Sequence, residues 1–404
     1  MEDVMIARTL VGLTLALTAG TAAAQDDAFW GGPPVVPGYE PAFPGQFRAA
    51  IAQNTVPVVT ETIAAGLVHP WAVVELPSGN LLVSERPGRL RVVTAEGEVS
   101  EPVAGVPTVV AARQGGLLDV TLAPDFADTR EVFLTFSRPL AGGENTTAVA
   151  KGRLSEDETA LEDVAVIFEQ KPGYTNNMHY GSRIVFADDG TLFVGLGERS
   201  DRQTRVLAQD LSTHYGKVVR LDRDGSPAAG NPFLDRDDAL PEIWSWGHRN
   251  IQAAARHPET GALWVIEHGP QGGDEVNIAE AGRNYGWPVV TYGVEYSGGT
   301  IGEGATAGER FEQPTYFWSP VIAPSGAAFY DGEMFPEWRG SLLVGGLRSQ
   351  TLVRLELDGD RVVAEERLVR GIGRVRDVAV ASDGAILVVT DAADGRLVRI
   401  ARGS

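Results

Sequence analysis

Between residues 242 and 287 the chain reads EIWSWGHRNIQAAARHPETGALWVIEHGPQGGDEVNIAEAGRNYGW. Two polar knots stand in it, Gly247-His248-Arg249-Asn250 and Glu267-His268-Gly269-Pro270, and Gly272-Gly273-Asp274-Glu275 follows. A guanidinium, an amide, imidazoles and carboxylates lie beside glycines that let a backbone approach a ligand closely. Each group taken alone also reads as a turn residue or a satisfied core group. The weight comes from further knots elsewhere.

Arg249, Arg348, Arg374 and Arg376 all fall at the ends of short β-rich runs in an acidic chain. Arg374 and Arg376 alternate, so in a strand they share a face. Arginines aimed into one channel repel unless an anion sits among them. The competing reading pairs each with a local carboxylate such as Asp377. His179 lies among small and polar residues in Asn176-Asn177-Met178-His179-Tyr180-Gly181, at the start of a strand, where a loop presents it. A neutral imidazole there takes a proton near neutral pH, although a lone histidine more often serves structure. The bend at Gly269 and Pro270 exposes adjacent carbonyls, with Asp274 and Glu275 close by. Such oxygens suit Ca²⁺, but no EF-hand spacing is present.

These groups need a frame that gathers distant residues. A Gly-bearing turn followed by a short β-rich run recurs along the chain, marked at Gly79, Arg130, Gly190, Gly261, Gly340 and Gly384, at intervals of 44 to 79 residues. Each interval accommodates one four-stranded blade plus inserted loops. Six markers predict an all-β, six-bladed β-propeller rather than a pair of β-sandwiches, with strand ends converging on a central channel.

Composition bounds the rest. The chain has 404 residues, 43% hydrophobic and 22% charged, enough for a sizeable core. A net charge of −20 disfavours nucleic acid and anionic membrane surfaces as partners. Arg8, an apolar run over 9–17 and Ala22-Ala23-Ala24 read as a secretory signal over 1–24, which implies a periplasmic or secreted protein. No stretch reaches the length of a membrane span. There are no cysteines, so the mature chain relies on packing, ions or cofactors. Residues 25–54, rich in Pro and Gly, read as an extended leader packing its aromatics on the body, and 55–404 as the propeller.

The knots His-Arg-Asn, Glu-His-Gly-Pro, Gly-Gly-Asp-Glu and Gln-Gly-Gly-Leu-Leu together resemble those of the soluble, pyrroloquinoline quinone (PQQ)-dependent aldose sugar dehydrogenases. The resemblance runs from about Thr55 to Ala401. It implies a six-bladed propeller, PQQ and Ca²⁺ as cofactors, an aldose substrate and an external electron acceptor, a quinone or a redox protein. It leaves monomer and homodimer both open. By this resemblance His179 is the general base and Arg249 the cation beside the reactive carbonyl. Gln114, Asn250, Tyr296, Arg348, Arg374 and Arg376 contact the cofactor. Gly269 and Pro270 ligate the activating calcium through their carbonyls, and Glu275 and Tyr285 hold a second, structural calcium. One departure stands out: glucose-preferring members carry Asp before the base, where this chain has Met178, which favours a broader aldose range.

The expected activity is oxidation of the anomeric C1 of aldoses to aldonolactones. The alternatives are a calcium-dependent propeller hydrolase of the lactonase kind, which needs a central cage of Asp, Glu and Asn side chains, and a non-catalytic binding propeller.

Overall fold

Each of the six turn markers lies between the first and second strand of a sheet, and each has positive φ: 86° at Gly79, 55° at Arg130, 83° at Gly190, 71° at Gly261, 78° at Gly340 and 83° at Gly384. Glycine takes this conformation without steric cost. Arg130 takes it as the left-handed cap of the one-turn helix Phe126–Thr129, where its guanidinium donates to the carbonyls of Leu154 and Ser155. The repeat in the sequence is therefore a repeat of backbone geometry.

The computed structural model describes residues 27–52 and 56–403. The expected signal segment and Thr55 lie outside the described residues. The chain forms a six-bladed β-propeller of antiparallel sheets. Blade 1 holds Pro70–Glu75, Leu81–Glu85 and Arg89–Val93. Blade 2 holds Leu117–Leu122, Glu131–Pro139, Asn145–Leu154 and Leu161–Glu169. Blade 3 holds Gly181–Phe186, Leu192–Leu196, Lys217–Leu221 and Ile243–Trp246, and blade 4 holds Ile251–Arg256, Leu263–Glu267, Asp274–Ile278 and Tyr316–Trp318. Blade 5 holds Pro324–Phe329, Leu342–Gly346, Thr351–Asp358 and Arg361–Leu368. Blade 6 holds Val375–Val380, Ile386–Thr390 and Gly395–Arg402, and is completed from the other end of the chain by Val58–Leu67, which pairs with Gly395–Arg402 and so closes the ring.

The first strands of the six blades pack side by side around the axis. Between blades the core is apolar: Trp71, Leu82, Leu134 and Phe136 fill the space between blades 1 and 2, and Trp264, Trp318, Val344 and Val353 that between blades 4 and 5. Fully burying each such side chain contributes roughly 1.5–3 kcal/mol. Near the axis the ties are ionic. Arg183 bonds Asp119 at 2.9 Å and Asp377 at 2.8 Å. Those carboxylates in turn accept the N–H groups of Ile184 and Val73. One arginine thus fastens blades 1, 2, 3 and 6.

The leader is part of the fold from residue 27. Ala50–Ile51 adds a parallel fifth strand to blade 5. Phe47 stacks on Phe317 at 4.8 Å, and Phe317 stacks on Tyr292 at 3.9 Å. Arg48 donates to Asp27 and to the Gly32 carbonyl, its guanidinium lying by the Trp30 and Phe47 rings.

Candidate active site

All first strands run the same way around the axis, so their starts and the ends of the second strands meet at one end of the ring. A cavity of about 160 Å³ opens there, with Gln114, Gln252, His268, Arg374, Arg376 and Asp391 in its wall. Strand starts bring His179, Arg249, Asn250, Arg374 and Arg376. Second-strand ends bring Arg86, Glu198, Glu267, Leu347 and Asp391.

His179 is buried, with φ at 49°, and its N–H donates to Gln114 Oε1 at 2.8 Å. Its carbonyl is approached so closely that a Cβ at Gly197 would lie 2.1 Å from it. Its Nδ1 lies 3.1 Å from Glu198 Oε2, which makes Nδ1 the protonated nitrogen and leaves Nε2 as the base. Burial holds this imidazole below its ordinary range. Glu198 opposes that shift, and the charges of Arg249 and Arg199 add to it. Burial alone would raise the Glu198 carboxyl, but His179, Arg249 and the Ser200 N–H outweigh it and hold it ionised below the usual range. The carboxylate missing at Met178 is thus supplied to the imidazole from the end of the neighbouring strand.

The loop that carries His179 is fastened by Arg199, which is wholly buried. Its guanidinium donates to the carbonyls of Asn145, Met178 and Asn176, and lies 4.3 Å from the Tyr180 ring centre. Sequence reasoning missed both Glu198 and Arg199. The available signal was register: Gly181 pairs with Leu196, so whatever follows Leu196 must face whatever precedes Gly181.

Arg249 joins the base to the Gly269 and Pro270 bend. Its carbonyl accepts the Glu198 N–H at 3.0 Å, and its Nη1 donates to the His268 carbonyl at 2.9 Å. Trp287 lies under the guanidinium at 5.2 Å. Asn250 is buried with its Oδ1 accepting the Gly181 N–H. His268 donates Nε2–H to the Pro324 carbonyl, and burial pushes its pKa down to about 3, so it stays neutral.

Asp274, grouped above with the possible cation donors, is committed otherwise. It accepts the N–H groups of Gly269 and Ala323, and so clamps the bend. Burial pushes its carboxyl up to about 7. Among the described residues no donor reaches the carbonyls of Gly269 or Pro270, which leaves them available to a hard cation. Among the described residues no three His, Asp or Glu side chains converge as a metal cage, the arrangement a propeller hydrolase needs.

Arg374 and Arg376 do not pair with Asp377, which serves Arg183. Both reach Asp391 Oδ2, Arg376 at 2.8 Å and Arg374 at 3.6 Å. Arg376 is buried and also donates to Gln252. Its Nε, like that of Arg249, is buried without a partner. A buried charged donor without an acceptor is costly, so Arg376, in the cavity wall, fits an anionic ligand there; Arg249 is outside the wall and reaches it through its bond to His268. Arg348 and Tyr296 are placed differently. Both are exposed and outside the cavity lining; His179, Arg249 and Asn250 are outside that lining too, but are buried and bonded to the lining residues Gln114, His268 and Gly181, whereas Tyr296 is 77% exposed on a turn whose Glu295 pairs with Arg205 at 2.8 Å.

Glu275 is half-buried, and burial together with the charges of Glu267 and Asp274 drives its carboxyl well up. Asn277 donates to Glu267 and Glu275 while its Oδ1 is buried without a partner. A cation beside these oxygens would relieve that repulsion. The Tyr285 hydroxyl is used inside the protein, donating to the Ile278 carbonyl and accepting the Glu280 N–H. Its backbone carbonyl is the ligand it has to offer.

Residues 67–399 match the family model described as Glucose / Sorbosone dehydrogenase. The aldose sugar dehydrogenase YliI of Escherichia coli is 42% identical over 348 residues, which is 85% of this chain and 92% of that protein. A solved glucose dehydrogenase superposes with a TM-score of 0.82 at 46% identity, covering 84% of this chain and 99% of its own. The PQQ-bound aldose sugar dehydrogenase of Streptomyces coelicolor superposes with a TM-score of 0.71 at 30% identity, covering 87% and 100%.

Proposed function

The chain belongs to the glucose/sorbosone dehydrogenase family, and from that premise we propose that it oxidises the anomeric C1 of aldoses to aldonolactones with PQQ and Ca²⁺ as cofactors, passing electrons to an external acceptor. The observation that carries this reading is the His179–Glu198 pair, joined through Gln114 to a cavity walled by Arg86, Arg374 and Arg376, the last with a buried, unpaired Nε. Similarity to a PQQ-bound relative supports the choice of cofactor.

Arg374 and Arg376 would hold the cofactor's carboxylates, with Gln114, Arg249 and Asn250 along its edge and the Gly269 and Pro270 carbonyls on the calcium. Bound PQQ with its calcium supplies a two-electron hydride acceptor. The chain's own residues do the rest. His179 Nε2 takes the proton of the C1 hydroxyl as the C1 hydrogen leaves with its electron pair, so the cyclic sugar loses one proton and one hydride and C1 becomes the lactone carbonyl. Glu198 keeps the imidazole in the tautomer with Nε2 unprotonated and stabilises the imidazolium that forms. Arg249 places a fixed positive charge where negative charge develops.

With Met178 before the base, no carboxylate at that position selects one sugar hydroxyl pattern, and the substrate range is a broad set of aldoses. The secretory signal read at the N-terminus places the reaction in the periplasm or outside the cell. Among the described residues no helix is long and apolar enough to cross a membrane.

The test is dye reduction by purified protein with a panel of aldoses, with and without PQQ and Ca²⁺, and with NAD⁺ as the control. Turnover that needs both PQQ and Ca²⁺ supports the reading. No turnover, together with an unchanged PQQ spectrum on mixing, overturns it.

A further inference from the structure

Three guanidiniums stand around one carboxylate in the wall of the cavity. Arg376 and Arg374 approach Asp391 Oδ2, and Arg86 approaches its Oδ1 at 4.0 Å. His69 Nδ1 shares Oδ1 at 2.8 Å. Leaving His69 aside, three positive charges face one negative charge, inside a protein whose net charge is −20. The excess is local, and it is the kind of excess an anion with more than one carboxylate neutralises.

Arg86 comes from the end of the second strand of blade 1, the neighbour of blade 6, which carries the Arg374 and Arg376 that the motifs point to. Its Nη1 donates to the Arg113 carbonyl at 2.8 Å, next to Gln114 in the cavity wall. Its Nη2 is turned toward Asp391, and its side chain is 20% exposed. Its own backbone is fixed: the N–H donates to the His69 carbonyl, and the carbonyl accepts the Leu117 N–H. A Cβ at Gly116 would lie 1.9 Å from that carbonyl, so the glycine is what allows the approach. A side chain held at both ends, lining the cavity and within Coulomb range of two other arginines, is placed to bind an anion. The unpartnered, buried Nε of Arg376 points the same way.

We propose that Arg86 is a third carboxylate-binding guanidinium of the cofactor cavity, with Asp391 as the counter-ion that spaces the three arginines. The inference rests on the PQQ reading above. The ligand chemistry it names is a rigid aromatic polycarboxylate whose carboxylates meet one cluster of Arg374, Arg376 and Arg86 around Asp391.

The experiment is equilibrium binding of PQQ, followed by its absorption and by quenching of protein fluorescence, in buffered Ca²⁺ at several salt concentrations. Wild type, Arg86→Gln, Arg86→Lys and the distant surface control Arg402→Gln are compared. Loss of one charge-assisted contact should weaken binding roughly 10- to 100-fold in Arg86→Gln. Arg86→Lys should recover part of it, and Arg402→Gln none of the loss. The salt dependence of the dissociation constant should be shallower in Arg86→Gln, because one charge has gone. Should Arg86→Gln fail to fold, Arg86→Lys alone still weakens binding by a measurable factor. Wild-type affinity in both Arg86 variants overturns the proposal and leaves the PQQ reading standing. Weaker binding with an unchanged salt dependence also overturns it, because the role is then only to hold the Arg113 carbonyl. No PQQ binding by wild type overturns the reading beneath it.

Discussion

His179 Nδ1 and Glu198 Oε2 lie 3.1 Å apart and 19 residues apart in the chain, and His248 Nδ1 and Glu267 Oε1 in the next blade repeat that spacing at 2.9 Å. The two pairs differ in the other imidazole nitrogen. His248 Nε2 meets Ser245 Oγ at 2.9 Å, and its ring stacks on Tyr285. That histidine is closed on both sides and is structural. His179 Nε2 has no such partner among the described residues, so under the proposed function it is the copy of this local device that is open to substrate.

Glu198→Gln should lower kcat by roughly 10²–10⁴-fold while PQQ still binds, because the imidazole loses its orienting carboxylate. The sign of the pH effect follows from the causes. Burial lowers the His179 pKa and Glu198 raises it, so the acid limb of kcat/KM lies below the ordinary histidine value in wild type. It should move further toward acid in Glu198→Gln. A limb that moves up in pH would contradict the pairing.

Gly269→Ala should disturb the calcium bend, since the added Cβ would lie 2.1 Å from the Gly273 carbonyl. The Ca²⁺ concentration for half-maximal dye reduction should rise by about tenfold or more. An unchanged calcium requirement would remove Gly269 from the ligand set.

Arg183→Met tests the axial tie. It leaves Asp119 and Asp377 buried without their partner, a change that costs about 3–5 kcal/mol. In wild type burial already raises Asp119 to about 6. Arg183 lowers that value, so its loss raises it further, and the variant's deficit relative to wild type should grow as pH rises above about 6. Urea unfolding of both proteins at pH 5 and pH 8 measures this, and an equal deficit at the two values would contradict it.

Much of the architecture was legible because a propeller writes itself into the chain as repeated turns. Gly79, Gly190, Gly261, Gly340 and Gly384 each need positive φ, and glycine at a fixed place in the repeat is the visible trace. Arg130 shows the limit, since its left-handed backbone is sustained by hydrogen bonds from its own side chain rather than by residue type. Groups on strand starts, such as His179 and Arg249, stood out in polar knots. Their partners did not. Glu198, Arg86 and Asp391 sit just past the ends of second strands, in polar turns that look like ordinary surface loops, and only the closing of the ring brings them to the site. The leader reads from its Pro and Gly content as extended chain with its aromatics packed on the body; Phe47 stacks on Phe317, while the bond of the half-buried Arg48 to Asp27 left no trace in the sequence.

The most direct test of the central claim is single-turnover bleaching of protein-bound PQQ by an aldose, comparing wild type with His179→Ala at equal cofactor occupancy. Loss of the general base predicts a rate lower by roughly 10²–10⁴-fold with PQQ binding unchanged. A His179→Ala protein that binds PQQ and turns over near the wild-type rate would contradict the assignment.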